Sequence, residues 1–226
     1  MTQPHRHFHE QLTDLQARLV AMAGDAEAAL AMAVEALLTR DVDRAAQVMA
    51  GDREIDRQEV EVEEACIRLL ALQQPMAGDL RMLTATLKIS NDLERVGDHA
   101  VNIAEAAIRF AKGHTIVPEP ELVEMARLTR AMLGDAVEAF IRRDPAAARD
   151  VCLRDDRVDA LHRSVFRIVL THMMENPTAI SDGMELTSTS RNLERVADLA
   201  TNIAEDVVFL VEGKSIKHGA WSESEQ

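Results

Sequence analysis

The chain has 226 residues, of which 47% are hydrophobic, and this length allows one large or two small domains with a buried core. Aromatic residues make up only 3% and Tyr is absent, which argues against β-sandwiches and β-barrels and favours an all-helical fold. Its 39 acidic residues outnumber 25 Lys and Arg, for a net charge of −14. This charge argues against direct binding to nucleic acid or to an anionic membrane surface.

The sequence shows no membrane or secretion signal. The longest uninterrupted apolar run, residues 28–34, is far too short to span a membrane, and the first residues lack the apolar core of a signal peptide. We therefore expect a cytoplasmic protein. Cys66 and Cys152 lie in helix-like segments without a Cys-x-x-Cys pattern, and we expect them to be small core residues.

Apolar residues recur with helical periodicity in six segments separated by helix-breaking residues. The predicted helices cover residues 10–38, 43–73, 76–112, 120–142, 146–174 and 178–212. Asp41 and Asp144 are placed to cap the second and fifth helices, and Gly113 and Gly213 to end the third and sixth. The proline-containing stretch 113–120 cannot continue a helix and predicts a linker between two halves.

The two halves of the chain are related in sequence. Residues 93–105, LERVGDHAVNIAE, match residues 193–205, LERVADLATNIAE, at ten of thirteen positions, and residues 33–41 match 136–144. Since a unit of three helices is duplicated and the loops are short, we predict an all-α fold of two tandem three-helix bundles with six long antiparallel helices. The expected domains are residues 1–115 and 118–213, followed by a flexible tail, residues 214–226.

Acidic residues one helical turn apart occupy matching positions in the two halves. The pairs are Asp52 with Asp56 and Glu94 with Asp98 in the first half, and Asp155 with Asp159 and Glu194 with Asp198 in the second. About seven such pairs are expected by chance in so acidic a chain, so the matching registers carry the signal. The helical period directs the carboxylates of the third segment away from the apolar face around Leu93, towards the outer surface.

These pairs have two interpretations. Like charges at this spacing cost a helix about 0.2–0.5 kcal/mol per pair, and carboxylate oxygens are ligands of hard and borderline metal ions, so the pairs predict metal binding. Alternatively they form a solvated charged face that is paired with Arg95 and Arg195. The acidic ridge on the second helix of each half is continued by Glu59 in one half and by His162 in the other.

The doubled motif, together with residues 73–81, QQPMAGDLR, resembles the PhoU family of phosphate-transport accessory and regulatory proteins. The resemblance covers nearly the whole chain and implies that the eight acids hold divalent or trivalent ions such as iron, zinc, manganese or magnesium. It implies a non-enzymatic regulator that restrains phosphate uptake and phosphate-starvation signalling. Its partners would be the ATPase of the phosphate ABC transporter and a membrane sensor histidine kinase, with no other contact with the membrane. We also expect a homodimer.

Two other functions remain open. A carboxylate-bridged di-metal bundle with oxidase or metal-storage activity needs Glu-x-x-His motifs that project into the bundle core, and the nearest match, Asp159-Ala-Leu-His162, occurs in one half only. A helical adaptor without metal would bind its partners through helix faces alone.

Overall fold

Six long helices build the fold within residues 3–113 and 116–217, the part of the chain that this computed structural model describes, with side chains from Phe8 onwards. Their bounds are Gln3–Thr39 for α1, Val42–Gln73 for α2, Ala77–Phe110 for α3, Pro120–Arg142 for α4, Pro145–Glu175 for α5 and Ile180–Glu212 for α6, which a 3-10 turn, Pro177–Ala179, precedes. The predicted all-α class is confirmed. Helix α1 begins earlier than predicted because Pro4 is tolerated in a first turn and no other breaker follows it.

The helices form two three-helix bundles in tandem, as predicted. Helices α1, α2 and α3 pack together, α4, α5 and α6 do the same, and α3 lies against α6 at the joint between the bundles. Parts of the predicted linker, residues 114–115, and of the predicted tail, residues 218–226, lie outside the described residues.

Two aspartates begin helices as predicted, because their side chains accept hydrogen bonds from backbone N–H groups of the first turn. Asp41 accepts from Arg44 N at 2.9 Å, and Asp144 accepts from Ala146 N at 2.9 Å and from the next amide at 3.1 Å. Gly213 ends α6 with a φ of 72°, a left-handed conformation that glycine adopts without steric cost.

The other predicted helix-ending glycine, Gly113, has a different role. Helix α3 ends at Phe110, and a Cβ at Gly113 would lie 1.7 Å from Asp182 Oδ1, so only glycine leaves room for this carboxylate of α6. Asp182 accepts a hydrogen bond from Ile116 N at 3.2 Å, and Arg40 donates to the carbonyls of Phe110 at 2.6 Å and Ile116 at 2.8 Å. Contacts from the turn between α1 and α2 and from α6 therefore hold the described ends of the linker.

The apolar face predicted for α3 is buried as expected. Its residues are at most 1% exposed, namely Leu93, Val96, Ala100, Ile103 and Ala107. This face sets the rotation of α3 about its axis and so determines where its acidic residues lie. Among the described residues, no helix is both long and apolar enough to cross a membrane.

Both cysteines are free thiols, and Cys66 is buried while Cys152 is half-buried, in line with the expected core roles. Burial raises the pKa of Cys66 to about 12 and that of Cys152 to about 11. The thiols therefore stay protonated and unreactive near neutral pH.

Replacement of Leu93 by Ala tests the assignment of the buried face. We expect the free energy of unfolding to fall by about 2–5 kcal/mol, because the fully buried side chain leaves a cavity. The neighbouring change Glu94→Ala should cost less than about 1 kcal/mol, since that side chain is only partly buried. Urea denaturation of metal-free protein measures both values, and equal losses would contradict the assignment.

Candidate metal-binding surface

Four carboxylates from two neighbouring helices form the first acidic cluster: Asp52 and Asp56 on α2, Glu94 and Asp98 on α3. Helix α2 passes closely over α3 at Gly97, where a Cβ would lie 3.4 Å from Asp52 Oδ1 and 3.2 Å from Ile55 Cδ1. Asp52 therefore lies beside the backbone of α3 between Glu94 and Asp98, and Ala197 occupies the equivalent position of the second bundle. The core packing of the bundle thus brings the two predicted pairs together.

Burial and mutual repulsion raise the pKa of carboxyl groups in the first acidic cluster. The pKa of Asp52 is raised above its ordinary value by burial first, and then by the charges of Asp56 and Asp98. The pKa of Glu94 is also raised by burial first, and then by Asp98, Asp56 and Glu59. Glu59 therefore shares this electrostatic environment, although it was not among the predicted ligands.

Basic side chains do not compensate this repulsion. Within the described residues, none of the four carboxylates forms an ion pair with Arg or Lys. Arg95, which the solvated-face interpretation offers as a partner, lies 3.8 Å from Asp92 Oδ1 instead. The first acidic cluster is thus a concentration of negative charge that a cation would neutralise.

The second acidic cluster repeats the arrangement on the other bundle: Asp155 and Asp159 on α5, Glu194 and Asp198 on α6. Burial raises the pKa of Asp155 to about 6, with further contributions from Asp198, Asp159, Asp156 and Glu194. Asp155 and Asp198 line an open cleft of about 320 Å³, together with Arg95 from the first bundle and Thr201. The Thr201 hydroxyl is buried and has no hydrogen-bond partner within the part of the chain that is described.

Ion pairs do occur in the second acidic cluster. Arg195 lies 3.3 Å from Asp198, and Arg163 lies 3.6 Å from Asp159. Both arginine side chains are more than half exposed, so water screens these pairs and they stabilise the fold only weakly. The arginine pairing of the solvated-face interpretation is therefore present in part of the second acidic cluster, whereas in the first cluster Asp56 and Asp98 are exposed to solvent without an ion pair among the described residues.

The donor chemistry of both clusters fits a metal ion, because carboxylate oxygens suit hard and borderline cations. Over residues 3–113 and 116–217, no three or more His, Cys, Asp or Glu side chains are already arranged to hold one. Like-charged side chains move apart when no cation lies between them. The eight predicted ligands lie on two pairs of neighbouring helices, α2 with α3 and α5 with α6.

The arrangement differs from a ferritin-like di-metal site, whose ligands project into the bundle core. The side chain of Asp159 is 39% exposed, and His162 is half-buried with Nδ1 2.7 Å from Ser190 Oγ. The one Asp-x-x-His motif therefore lies at the surface of the second bundle.

A family model, that of the PhoU domain, matches the chain twice, over residues 19–107 and over residues 122–207. The chain belongs to the PhoU family. Two curated relatives named phosphate-specific transport system accessory protein PhoU homolog are each 40% identical over 209 residues, or 92% of this chain. The protein from Zymomonas mobilis is covered over 88% of its length, and the protein from Aquifex aeolicus over 95%.

Solved PhoU structures share the fold. The crystal structure of PhoU from Pseudomonas aeruginosa aligns with a TM-score of 0.89 at 37% identity and covers 92% of this chain and 100% of that one. The phosphate transport system regulatory protein PhoU from Streptococcus pneumoniae aligns with a TM-score of 0.87 at 27% identity, over 93% and 99%. The two-bundle architecture is therefore that of the PhoU family.

Asp155→Asn tests the repulsion within the second acidic cluster. Because the folded-state pKa of Asp155 is about 6 and its ordinary value is 3.8, the folded protein binds more protons than the unfolded chain between these values. The stability contribution of this group is therefore unfavourable at pH 7 and improves as pH falls through about 6. We expect Asp155→Asn to stabilise metal-free protein at pH 7 by less than about 1 kcal/mol, after allowance for solvent screening.

Thermal unfolding at pH 7 and pH 4 measures this effect, and the gain should vanish at the lower pH. Asp150→Asn is the matched control, since it removes an exposed carboxylate of the same helix that lies 3.3 Å from Arg154. A loss of stability at pH 7 for Asp155→Asn would contradict the proposed repulsion.

Proposed function

We propose that this protein is an accessory regulator of phosphate transport that restrains phosphate uptake and phosphate-starvation signalling. The observation that carries the proposal is the double match to the PhoU domain, which covers the repeated motif in both bundles. Relatives with this arrangement are named accessory proteins of the phosphate-specific transport system or a phosphate transport system regulatory protein. Such names favour a non-enzymatic role.

We further propose that the protein acts in the cytoplasm through protein partners. A net charge of −14 opposes binding to an anionic leaflet. Phe166, Leu170 and Met174 lie four residues apart on α5 and are 48%, 42% and 77% exposed, and an exposed apolar stripe of this kind suits a protein contact. The partners that the family resemblance implies are the ATPase of a phosphate ABC transporter and a sensor histidine kinase, which would bind the protein as a homodimer.

We also propose that metal ions bind at the two acidic clusters. Uncompensated carboxylates on α2 and α3, and their counterparts on α5 and α6, support cation binding in each bundle. Iron, zinc, manganese and magnesium all accept carboxylate ligands. A bound cation would offset the repulsion that the core packing imposes on these side chains.

Glu94→Ala combined with Asp98→Ala should remove metal from the first bundle and leave the second bundle loaded. Both side chains lie off the apolar face, so the stability of the metal-free protein should change by less than about 1 kcal/mol. Elemental analysis of protein purified without chelator or His tag measures the metal content, and circular dichroism during thermal unfolding reports the fold.

Asp14→Ala combined with Glu138→Ala is the matched control, because it removes two exposed carboxylates that pair with Arg18 and Arg142 on α1 and α4, helices that carry none of the eight predicted ligands. This variant should keep the metal content of the unchanged protein. Full metal retention in the Glu94 and Asp98 variant, or loss of cooperative unfolding, would contradict the assignment of the first acidic cluster.

Deletion of the gene should leave phosphate-starvation genes switched on in phosphate-rich medium, because the proposed restraint is then lost. Expression of a starvation-induced phosphatase reporter measures this effect in the deletion strain and in strains that carry the acidic-cluster variants. Normal repression in the deletion strain would refute the regulatory function. Normal repression in the acidic-cluster variants alone would separate metal binding from signalling.

A further inference from the structure

Helices α2 and α5 present equivalent outer faces that carry opposite charges. In the register that matches Asp52 with Asp155, four exposed positions of α2 correspond to four exposed positions of α5. On α2 these residues are Val60, Glu63, Glu64 and Ile67, and on α5 they are Arg163, Phe166, Arg167 and Leu170. Spacings of three and four residues place each set on one side of its helix. The repeat therefore provides an acidic α2 face and a basic α5 face.

Large apolar side chains on both faces are exposed to solvent. Val60 and Ile67 on the α2 face are 49% and 54% exposed, and Phe166 and Leu170 on the α5 face are 48% and 42% exposed. Burial of these side chains against one another would be favourable, because it removes apolar surface from water. Exposed apolar area alone suits many partners, so the charges beside it decide which partner fits.

The two carboxylates of the α2 face are open to a basic partner. Within the described residues, neither Glu63 nor Glu64 forms an ion pair with Arg or Lys. The preceding basic residue that pairs on this helix, Arg57, contacts Glu61 instead. Arg68 lies one turn beyond Glu64 and does not pair with it. Two adjacent negative charges thus stand beside the exposed apolar side chains.

The two guanidinium groups of the α5 face have the opposite charge at similar positions. Arg167 forms no ion pair among the described residues, and Arg163 lies 3.6 Å from Asp159 with 65% of its side chain exposed. A partner for this face must offer acidic side chains around apolar ones with helical spacing. The α2 face has this pattern, but both faces are exposed within one chain, so the α2 face that meets α5 must come from a second copy.

The symmetry of the chain allows this contact to form twice in one dimer. Residue numbers rise on α3 as they fall on α6, with Lys88 near Asp206 and Arg109 near Glu185, so an approximate twofold axis relates the two bundles. The α2 and α5 faces are therefore inclined equally to that axis. A second copy turned about a perpendicular axis would place its α5 face on α2 and its α2 face on α5.

We propose that the basic α5 face of one copy packs on the acidic α2 face of a second copy, and that the reciprocal contact closes a twofold dimer. Opposite charges guide the encounter and fix how the helices align, while the apolar side chains provide the buried area. This inference rests on the homodimer of the proposed function and assigns the surface that forms it.

Charge reversal on either face tests the contact. Glu63→Lys with Glu64→Lys, and separately Arg163→Glu with Arg167→Glu, should each weaken dimerisation of the full chain at least about tenfold in analytical ultracentrifugation. The first pair of changes makes the chain less negative as a whole, so an effect of net charge would strengthen dimerisation instead. Circular dichroism should show unchanged helix content, because all four side chains are exposed.

An equimolar mixture of the two charge-reversed proteins should restore the dimer. In a mixed dimer the reversed α2 face meets the reversed α5 face, and the two unchanged faces meet each other, so both contacts regain opposite charges. Asp14→Lys with Glu138→Lys is the matched control, since it reverses two exposed carboxylates on α1 and α4 and should not weaken dimerisation. Failure of the mixture to associate would overturn the proposed pairing of faces.

Truncation of one apolar side chain tests the buried part of the contact. Phe166→Ala should weaken dimerisation at least about tenfold, whereas Val123→Ala, at a position of α4 that is 44% exposed, should leave it unchanged. A chain that stays monomeric at every concentration would refute both the homodimer and this inference. A dimer that neither charge reversal weakens, or growth into assemblies larger than a dimer, would refute this inference alone.

Discussion

The packing of α3 against α6 is the constraint on which the rest of the structure depends. Each helix uses one face for the core and carries its acidic pair beside that face, so burial of Leu93 and Leu193 fixes where the carboxylates stand. Asp52 and Ile55 of α2 lie against α3 at Gly97. The repeated motif therefore specifies the core and the candidate site together, and a change of helix rotation would disrupt both.

Helices α3 and α6, which are equivalent in the repeat, lie antiparallel at this joint. Three polar contacts lie along it: Lys88 with Asp206 at 3.1 Å, His99 with Asn192 at 2.9 Å, and Arg109 with Glu185 at 3.0 Å. Residue numbers rise on α3 as they fall on α6, so equivalent helices meet about an approximate twofold axis. One consequence is that Arg95 of the first bundle lines the cleft beside Asp155 of the second.

Local features of the sequence are sufficient to predict most of the fold but only part of the candidate site. Asp41 and Asp144 cap their helices through neighbouring amides, an interaction that a short window of sequence contains. A short window of sequence predicts a helix end at Gly113, because the carboxylate of Asp182 that lies against it comes from a helix far along the chain and is not visible in that window. The acidic pairs could be found from spacing, whereas the hydrogen bond between His162 and Ser190 depends on how α5 lies on α6.

Core packing keeps helices α2 and α3, and therefore their acidic pairs, next to each other. These helices cannot separate without exposing Ile55 and Leu93, so burial first, and then the charges of the carboxylates acting on one another, raise the pKa values of Asp52 and Glu94. A cation that bound only the folded arrangement would stabilise it by an amount that rises with the logarithm of the cation concentration divided by its Kd. Helices α3 and α6 also form the joint between the bundles, so the residues that hold the bundles together and half of the predicted ligands lie on the same two helices.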